Sequence, residues 1–405
     1  MPPPRVSLRA FLSTAKAALT TAGQQASPVT LVIGNESADL DSLCSAVVLA
    51  YLRTYSATSK TNTLYIPLSN IPQEDLSLRP ELLPVLSRAN LKLTDLITLS
   101  DLPRNPSLVP GNTKWILVDH NSLQGELGLQ YSSRVVGCVD HHDEENKVPR
   151  DTGEEPRIVK KSGSCSSLVV EYCKEAWNAL SEEVKGKSET VSWNAELAYV
   201  ALAPIVIDTT NLTSKSKTTS DDIAAVNYLE NFITAHTTER GFDRDAYFDE
   251  VTKAKEDIGG LPLAGILRKD YKQWTESSMH LGVSSSVKDI QFLIEKAGGR
   301  ERFLEAVRQF AQDRDLSICS IMTTSTIDGV FRRELFVAGF SENGIRAAKA
   351  FQRDYTDKLG LKTWDEGSLD LESPHEQNEW RRCWWQHEVA NSRKQVAPLL
   401  RTAMQ

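Results

Sequence analysis

The stretch TLVIGNESADLDS, residues 30–42, decides the fold. Four apolar or β-branched residues run into a glycine, a polar cluster with two aspartates follows, and a helical apolar pattern then extends from Leu43 to Arg53. An apolar strand that ends in a polar turn and feeds a helix is the repeating piece of a parallel α/β sheet. The same reading applies to TLYIPL (63–68), WILVDH (115–120), VVGCVDHH (135–142) and PIVIDTT (204–210), with helical stretches at 166–179 and 195–203. Open parallel sheets bind ligands beyond the carboxyl ends of their strands. The clusters Gly34 to Asp41, Asp119-His120, Asp140-His141-His142 and Asp208 are therefore expected on one rim, each at a strand end.

Around this core, 405 residues with 40% hydrophobic and 25% charged content are enough for two cores of ordinary domain size. The expected architecture is α/β throughout: a parallel-sheet domain over 1–238, then a smaller α/β domain over 239–405, with the active site in the cleft between them. The boundary is placed in the polar stretch His236 to Asp245, after a helix capped near Ser220 or Asp221. Leu8 to Ala22 reads as an amphipathic helix packed on the first domain; a mitochondrial transit peptide is the alternative. In the second half, helices are expected around 247–258, 287–297, 301–313 and 346–359, and strands at 279–287, 316–324 and 333–338. Trp380, Trp384 and Trp385 fit i, i+4 and i+5 of one helix, a packing face between domains.

Six cysteines without CxxC spacing read as buried free thiols of a reducing compartment, so a cytoplasmic location is expected. No apolar run approaches the length that spans a bilayer, and no membrane partner is expected. The net charge of −8 and pI of about 5.5 exclude a protein that holds nucleic acid by bulk electrostatics. A monomer is expected, and a polyanionic substrate would need a local basic patch or bound cations.

By itself, Asp140-His141-His142 is equally well a solvated turn. Its company changes that reading. Asp39 and Asp41, two apart in the loop entering the next helix, turn both carboxylates toward one point, as hard divalent cations select; simple helix capping needs only one of them. Asp119 and Asp208 each end an apolar run, where an isolated carboxylate is poorly placed without a cation. Four carboxylates and a histidine gathered together repel by roughly several kcal/mol, and a pair of divalent metals, bridged by preference through Asp119, accounts for the set.

GNESADLDS (34–42), LVDH (117–120), VDHH (139–142) and IDTTNL (207–212), in this order, resemble the four motifs of the DHH phosphoesterase superfamily, which includes family II inorganic pyrophosphatases, eukaryotic exopolyphosphatases, prune-like proteins and RecJ-like nucleases. The resemblance implies that Asp39, Asp41, Asp119, His141 and Asp208 are metal ligands. It also implies that His142 contacts phosphate or donates a proton to the leaving oxygen. ILRKDYKQW (266–274) and ANSRKQVAPLL (390–400) resemble the DHHA2-type accessory domain of the pyrophosphatases and exopolyphosphatases, which makes Lys272, Arg393 and Lys394 phosphate-binding residues. Five Arg or Lys and one Glu between Trp380 and Gln405 agree with that, although a basic helix terminus complementing its dipole reads the same way.

In the pyrophosphatases a histidine ligand stands where this chain has Asn35, which leaves Asn35 a weaker metal ligand or a substrate contact and fits the exopolyphosphatase pattern. The function implied is an exopolyphosphatase: two divalent ions (Mg²⁺, Mn²⁺ or Co²⁺) and in-line attack of a metal-bound hydroxide on the terminal phosphate of linear polyphosphate, with Asp41, Asp119 and His142 catalytic. The alternatives are a pyrophosphatase, a prune-like cyclic-nucleotide phosphodiesterase or short-chain polyphosphatase, and an inactive scaffold of the same fold. GSCSSL (163–168) opens a helix that donates amides to phosphate or to the DHH loop, or is simply capped by serine. Lys160-Lys161 and Arg332-Arg333 either line a channel or form solvated faces.

Overall fold

A computed structural model describes residues 3–25, 27–56, 62–103, 108–182, 188–236, 241–327, 329–371 and 379–405. Two compact units divide between Lys255 and Glu256. The expected boundary at 238/239 lies outside the described residues. The helix Arg244–Glu256 belongs with the first unit because Tyr247 and Val251 are buried in its core.

In the first unit, β1 (Val29–Ile33), β2 (Tyr65–Leu68), β3 (Thr113–Val118), β4 (Val135–Asp140) and β5 (Arg157–Val159) form an all-parallel sheet in the order β2-β1-β3-β4-β5. Its helices are α1 (Leu8–Gln25), α2 (Leu40–Tyr55), α3 (Leu82–Arg88), α4 (Gly125–Tyr131), α5 (Cys165–Glu182), α6 (Ser188–Asp208), α7 (Ser220–His236) and α8 (Arg244–Glu256). Alternate strand residues serve opposite faces: Val32, Ile116, Val118 and Val139 pack into one core with α2, α5, α6 and α7, while Leu31, Ile33, Trp115, Leu117 and Cys138 pack into another. Covering both faces is what a parallel sheet requires. Chain direction across the sheet reverses between β1 and β3, so the turns after these strands flank a crevice at the switch point. In α1, Leu8, Phe11, Leu12, Ala15, Leu19 and Ala22 are buried at helical spacing, which makes it the amphipathic helix of this unit.

One expected strand is a helix. PIVID is the last turn and a half of the 21-residue α6, and Asp208 therefore ends a helix rather than a strand. A short apolar run does not reveal its period, and here the run continues a helix whose Leu197 to Ala203 and Ile205 to Val206 are buried among α2, α5 and α7.

The second unit holds α9 (Leu263–Lys269), β6 (Tyr271–Glu276), β7 (Met279–Ser286), α10 (Ile290–Ala297), α11 (Arg300–Gln312), β8 (Ile318–Ile327), β9 (Val330–Gly339), α12 (Glu342–Leu359), β10 (Leu361–Thr363), β11 (Trp380–Gln386) and α13 (Arg393–Ala403). Its six strands form one mixed sheet, β10-β11-β9-β8-β7-β6, in which only β7 and β8 run parallel. Residues around α9, α10 and α11 share a core with one face, and residues of α12 and α13 with the other. The tryptophan cluster is on β11, not on a helix. Trp380 and Trp384 are buried on the α12/α13 face, while Cys383 and Trp385 point to the opposite core. A separation of four residues returns to the same face in a strand as well as in a helix. Among the described residues, no helix is long and apolar enough to cross a membrane. All six cysteines are buried and free.

Candidate metal centre

Asp119 follows β3 directly and takes a left-handed backbone conformation, φ 61°, a strained setting for a residue other than glycine. Its N–H donates to Val139 O at 3.0 Å, which ties it to β4. Its carboxylate Oδ2 accepts from Asn35 Nδ2 and from Ser42 Oγ, both at 2.7 Å. Oδ1 faces the other way, 3.1 Å from His141 Nε2 and 3.6 Å from His142 Nδ1.

His141 and His142 are the first two residues after β4. The Nδ1 of His141 lies 3.1 Å from Ser162 O, a carbonyl that can only accept, so this nitrogen carries the proton and Nε2 presents a lone pair. Two acceptors 3.1 Å apart, Nε2 and Asp119 Oδ1, need a cation or a proton between them. Ligand atoms of Asp119, His141 and His142 all lie within 4.8 Å of one another, a donor set that suits a divalent ion. His142 Nδ1 is also 2.8 Å from Asp140 Oδ1, and Asn121 Nδ2 donates to Asp140 Oδ2 at 2.6 Å. Burial opposes ionisation of Asp140; His142 and Asn121 outweigh it and hold its pKa below the ordinary value.

Asp41 sits in the first turn of α2, with its Oδ2 3.9 Å from His141 Nε2. Its carboxylate accepts Cys165 N at 2.6 Å, Ser166 N at 2.9 Å, Ser164 Oγ at 2.9 Å and Ser45 Oγ at 3.1 Å. It therefore caps α5 from another helix. Burial, with the charges of Asp119 and Asp39, still pushes its pKa up to about 8 against those amide bonds. Asp39 caps α2 by accepting Ser42 N at 3.0 Å. Asp208 is likewise pushed up to about 8, first by burial and then by Asp41 and Asp39, while Lys255 and His141 pull it down. After it, Thr210, Asn211 and Leu212 are all left-handed, with φ of 52°, 52° and 65°. Asn211 secures that turn through Val206 O (2.6 Å), Asp245 (2.6 Å) and Arg244 (2.7 Å).

Asn35 is occupied inside the site. Its Oδ1 accepts Ser37 N at 2.9 Å and its Nδ2 donates to Asp119, so it orients Asp119 and the 34–41 turn. Gly34 is required there: a Cβ would stand 2.5 Å from Ser42 Cβ. Arg79 is buried beneath the same turn and donates to the carbonyls of Ser37 and Ala38, the latter residue left-handed at φ 43°. Arg79 and Ser42 support this turn without having been given a role from the sequence, where each looks like an ordinary polar or capping residue, while Ser164 lies in the GSCSSL motif read there as the opening of a helix.

In the second unit, Lys272 is half-buried on β6, opposite Val283 of β7. Arg393 opens α13 and is held by Asp270, through the main-chain carbonyl at 2.9 Å and the carboxylate at 2.7 Å. Lys394 follows, its N–H donating to Ser392 Oγ at 3.3 Å. Much of the basic excess after Trp380 is balanced by acids from elsewhere in the unit: Arg381 meets Glu379 at 2.5 Å and Arg401 meets Glu276 at 2.6 Å.

Residues 29–203 match the DHH family, N-terminal domain, and residues 249–403 match the DHHA2 domain. A Schizosaccharomyces pombe protein named "Putative exopolyphosphatase" is 32% identical over 91% of this chain and 89% of its own length. The chain belongs to the DHH family. This DHH protein is also 28% identical to rat "Exopolyphosphatase PRUNE1", over 75% of its length and 60% of that protein. A "Manganese-dependent inorganic pyrophosphatase" from Methanothrix thermoacetophila is 25% identical over 73% of the chain and 81% of that protein. Among solved structures, a "putative family II inorganic pyrophosphatase" of Methanococcus jannaschii aligns with a TM-score of 0.57 at 19% identity, covering 93% of this chain and 99% of the other. That likeness is one of fold. Membership of this family and its exopolyphosphatase and pyrophosphatase relatives indicate a hydrolase of the phosphoesterase type, and the cluster of acid and imidazole at the sheet rim offers a donor set for a divalent ion.

Proposed function

We propose that this DHH protein is an exopolyphosphatase that removes the terminal phosphate from linear polyphosphate with two divalent ions, Mg²⁺, Mn²⁺ or Co²⁺. The observation that carries the metal reading is the pair His141 Nε2 and Asp119 Oδ1, 3.1 Å apart, with the imidazole proton committed to Ser162 O. In this reading Asp39, Asp41, Asp119, His141 and Asp208 would hold the ions, with Asp119 contributing to both. Support for two ions rather than one comes from Asp41 and Asp208, carboxylates pushed up to about 8 by burial and by neighbouring acids, Asp119 and Asp39 for the first and Asp41 and Asp39 for the second. Bound ions polarise the phosphoryl group and acidify water.

The protein's own groups do the rest. Asn35 and Ser42 fix Asp119 from behind. His142, its ring oriented by Asp140 at Nδ1, faces the leaving oxygen through Nε2 and hands it a proton. Lys272, Arg393 and Lys394 bind the phosphates, Arg393 by a guanidinium already oriented by Asp270. Polyphosphate is preferred to pyrophosphate because the relative with 32% identity over most of the chain carries the exopolyphosphatase name, and because Asn35 is spent on Asp119.

Phosphate release from long polyphosphate, tripolyphosphate, pyrophosphate and cyclic AMP, each with Mg²⁺, Mn²⁺ and Co²⁺, tests the proposal. Polyphosphate is expected to turn over fastest. Faster pyrophosphate hydrolysis would convert the reading to a pyrophosphatase, and no turnover with any metal would leave a scaffold.

A further inference from the structure

We propose that Asp222 is a positioning residue of the metal centre, holding both His141 and Asp41 in register through the loop Ser162–Ser164. The inference rests on the metal-centre reading above and concerns a residue beyond the span matched to the DHH domain. Asp222 lies in the first turn of α7, fully buried. Its carboxylate accepts from Thr219 N (2.7 Å) and Thr219 Oγ1 (2.8 Å), as an acidic residue at the third helical position does when it closes a capping box. It also accepts from Ser162 Oγ (3.0 Å), Gly163 N (2.9 Å), Ser164 N (3.2 Å) and Ser167 Oγ (2.6 Å), which a helix cap has no need of. One side chain thus seizes a whole turn of loop and the start of α5.

That turn carries two contacts to the centre. Ser162 O receives the Nδ1 proton of His141 at 3.1 Å, which sets the tautomer and aims Nε2 at Asp119. Ser164 Oγ donates to Asp41 at 2.9 Å, and the amides of Cys165 and Ser166 complete the grip on Asp41. The loop has no slack toward Asp222: a Cβ on Gly163 would stand 2.7 Å from its Oδ2 and 2.6 Å from Thr209 Cγ2. Displacing the Asp222 carboxylate therefore moves Ser162 O and Ser164 Oγ together, and with them the ligand on β4's end and the ligand on α2.

The test separates this role from capping. Asp222→Asn puts an amide NH₂ among donors, whereas Thr219→Ala removes the hydroxyl bond of the capping box and leaves the loop bonds in place. Titrating the full chain calorimetrically with Mn²⁺, we expect Asp222→Asn to lose tenfold or more in affinity, the range seen when groups that orient metal-binding histidines are removed, and Thr219→Ala to change it less than twofold while lowering the melting temperature. In ¹⁵N spectra of the metal-free protein, Asp222→Asn is expected to mix the His141 tautomers that the wild type keeps as Nδ1–H. If Asp222→Asn does not fold, Ser162→Ala, which removes one donor and keeps the carbonyl, is expected to weaken Mn²⁺ by at least threefold. Unchanged affinity in the folded variant with an unaltered His141 ring overturns the inference alone. A wild type that takes up no Mn²⁺ overturns the metal-centre reading and this inference with it.

Discussion

The carboxylate of Asp41, in the first turn of α2, accepts the N–H of Cys165, the first residue of α5, at 2.6 Å. One acid thus stands at the amino ends of two helices, where their dipoles favour negative charge. Even so, burial and the charges of Asp119 and Asp39 push it up to about 8, so the ion-free protein holds Asp41 at a cost.

The sign of that cost gives the first prediction. The folded protein keeps the Asp41 proton up to about pH 8, while the unfolded chain releases it near the ordinary value of 3.8, so this group lowers stability progressively as pH rises from about 4 to about 8. Asp41→Asn lacks that contribution. In a chelating buffer, the melting temperature of wild type minus that of Asp41→Asn should fall between pH 5 and pH 8; parallel curves would refute the assignment. The same variant should be inactive with every metal.

Asp119→Asn is the cleanest lesion of the centre. Asparagine tolerates φ 61° as well as aspartate does, so the backbone at the end of β3 is undisturbed. Hydrolysis should fall by about 100-fold or more, with far-ultraviolet circular dichroism unchanged. Substantial turnover would remove Asp119 from the bridging role.

Gly34→Ala tests the support behind Asp119. The new methyl group meets Ser42, whose hydroxyl bonds both Asp119 Oδ2 and Asn35 N. Overpacking there should cost about 1–3 kcal/mol in denaturant unfolding, and Mn²⁺ affinity should fall with it. Loss of stability without loss of metal affinity would show that the turn adapts independently of the centre.

Arg393→Ala addresses the second unit. With the guanidinium that Asp270 orients removed, the affinity for a non-hydrolysable phosphate analogue should fall at least tenfold, while Mn²⁺ binding stays within about twofold; a contact of this charge-assisted kind contributes roughly 1.5–3 kcal/mol. Equal losses in both titrations would assign Arg393 a structural role.

Removing metal should abolish activity, and Mn²⁺ or Mg²⁺ should restore it. Failure of any divalent ion to restore turnover after chelation would contradict the cation requirement.

The parallel sheet of the first unit was legible because each of its main strands is a short apolar run broken by a polar cluster, and the residues that carry the charge, Asp119, Asp140 and His141, stand at those breaks. The setting of Asp208 was not legible, since PIVID continues a buried helix and has no polar face to betray its period. The supporting residues stayed hidden for a different reason. Ser42, Arg79 and Asp222 act by pairing with partners 77, 41 and 59 positions away, and such pairings leave no local spacing to read; Asn35 stands out in the sequence, but as a metal or substrate contact and not as the partner of Asp119, 84 positions away. The tryptophans of β11 show the converse, an interval that suits two periods at once.

The grip of Asp41 on α5, across 124 positions of chain, has a consequence for how the protein comes to recognise its ions. The groups that the proposed function assigns to the ions come from stretches near residues 40, 119, 141 and 208, and they meet only once the long crossovers of a parallel topology have closed, which is the slow part of assembling such a sheet. On that proposal a nascent or partly assembled chain lacks the site. An ion bound there would stabilise a finished frame by mass action instead of seeding it.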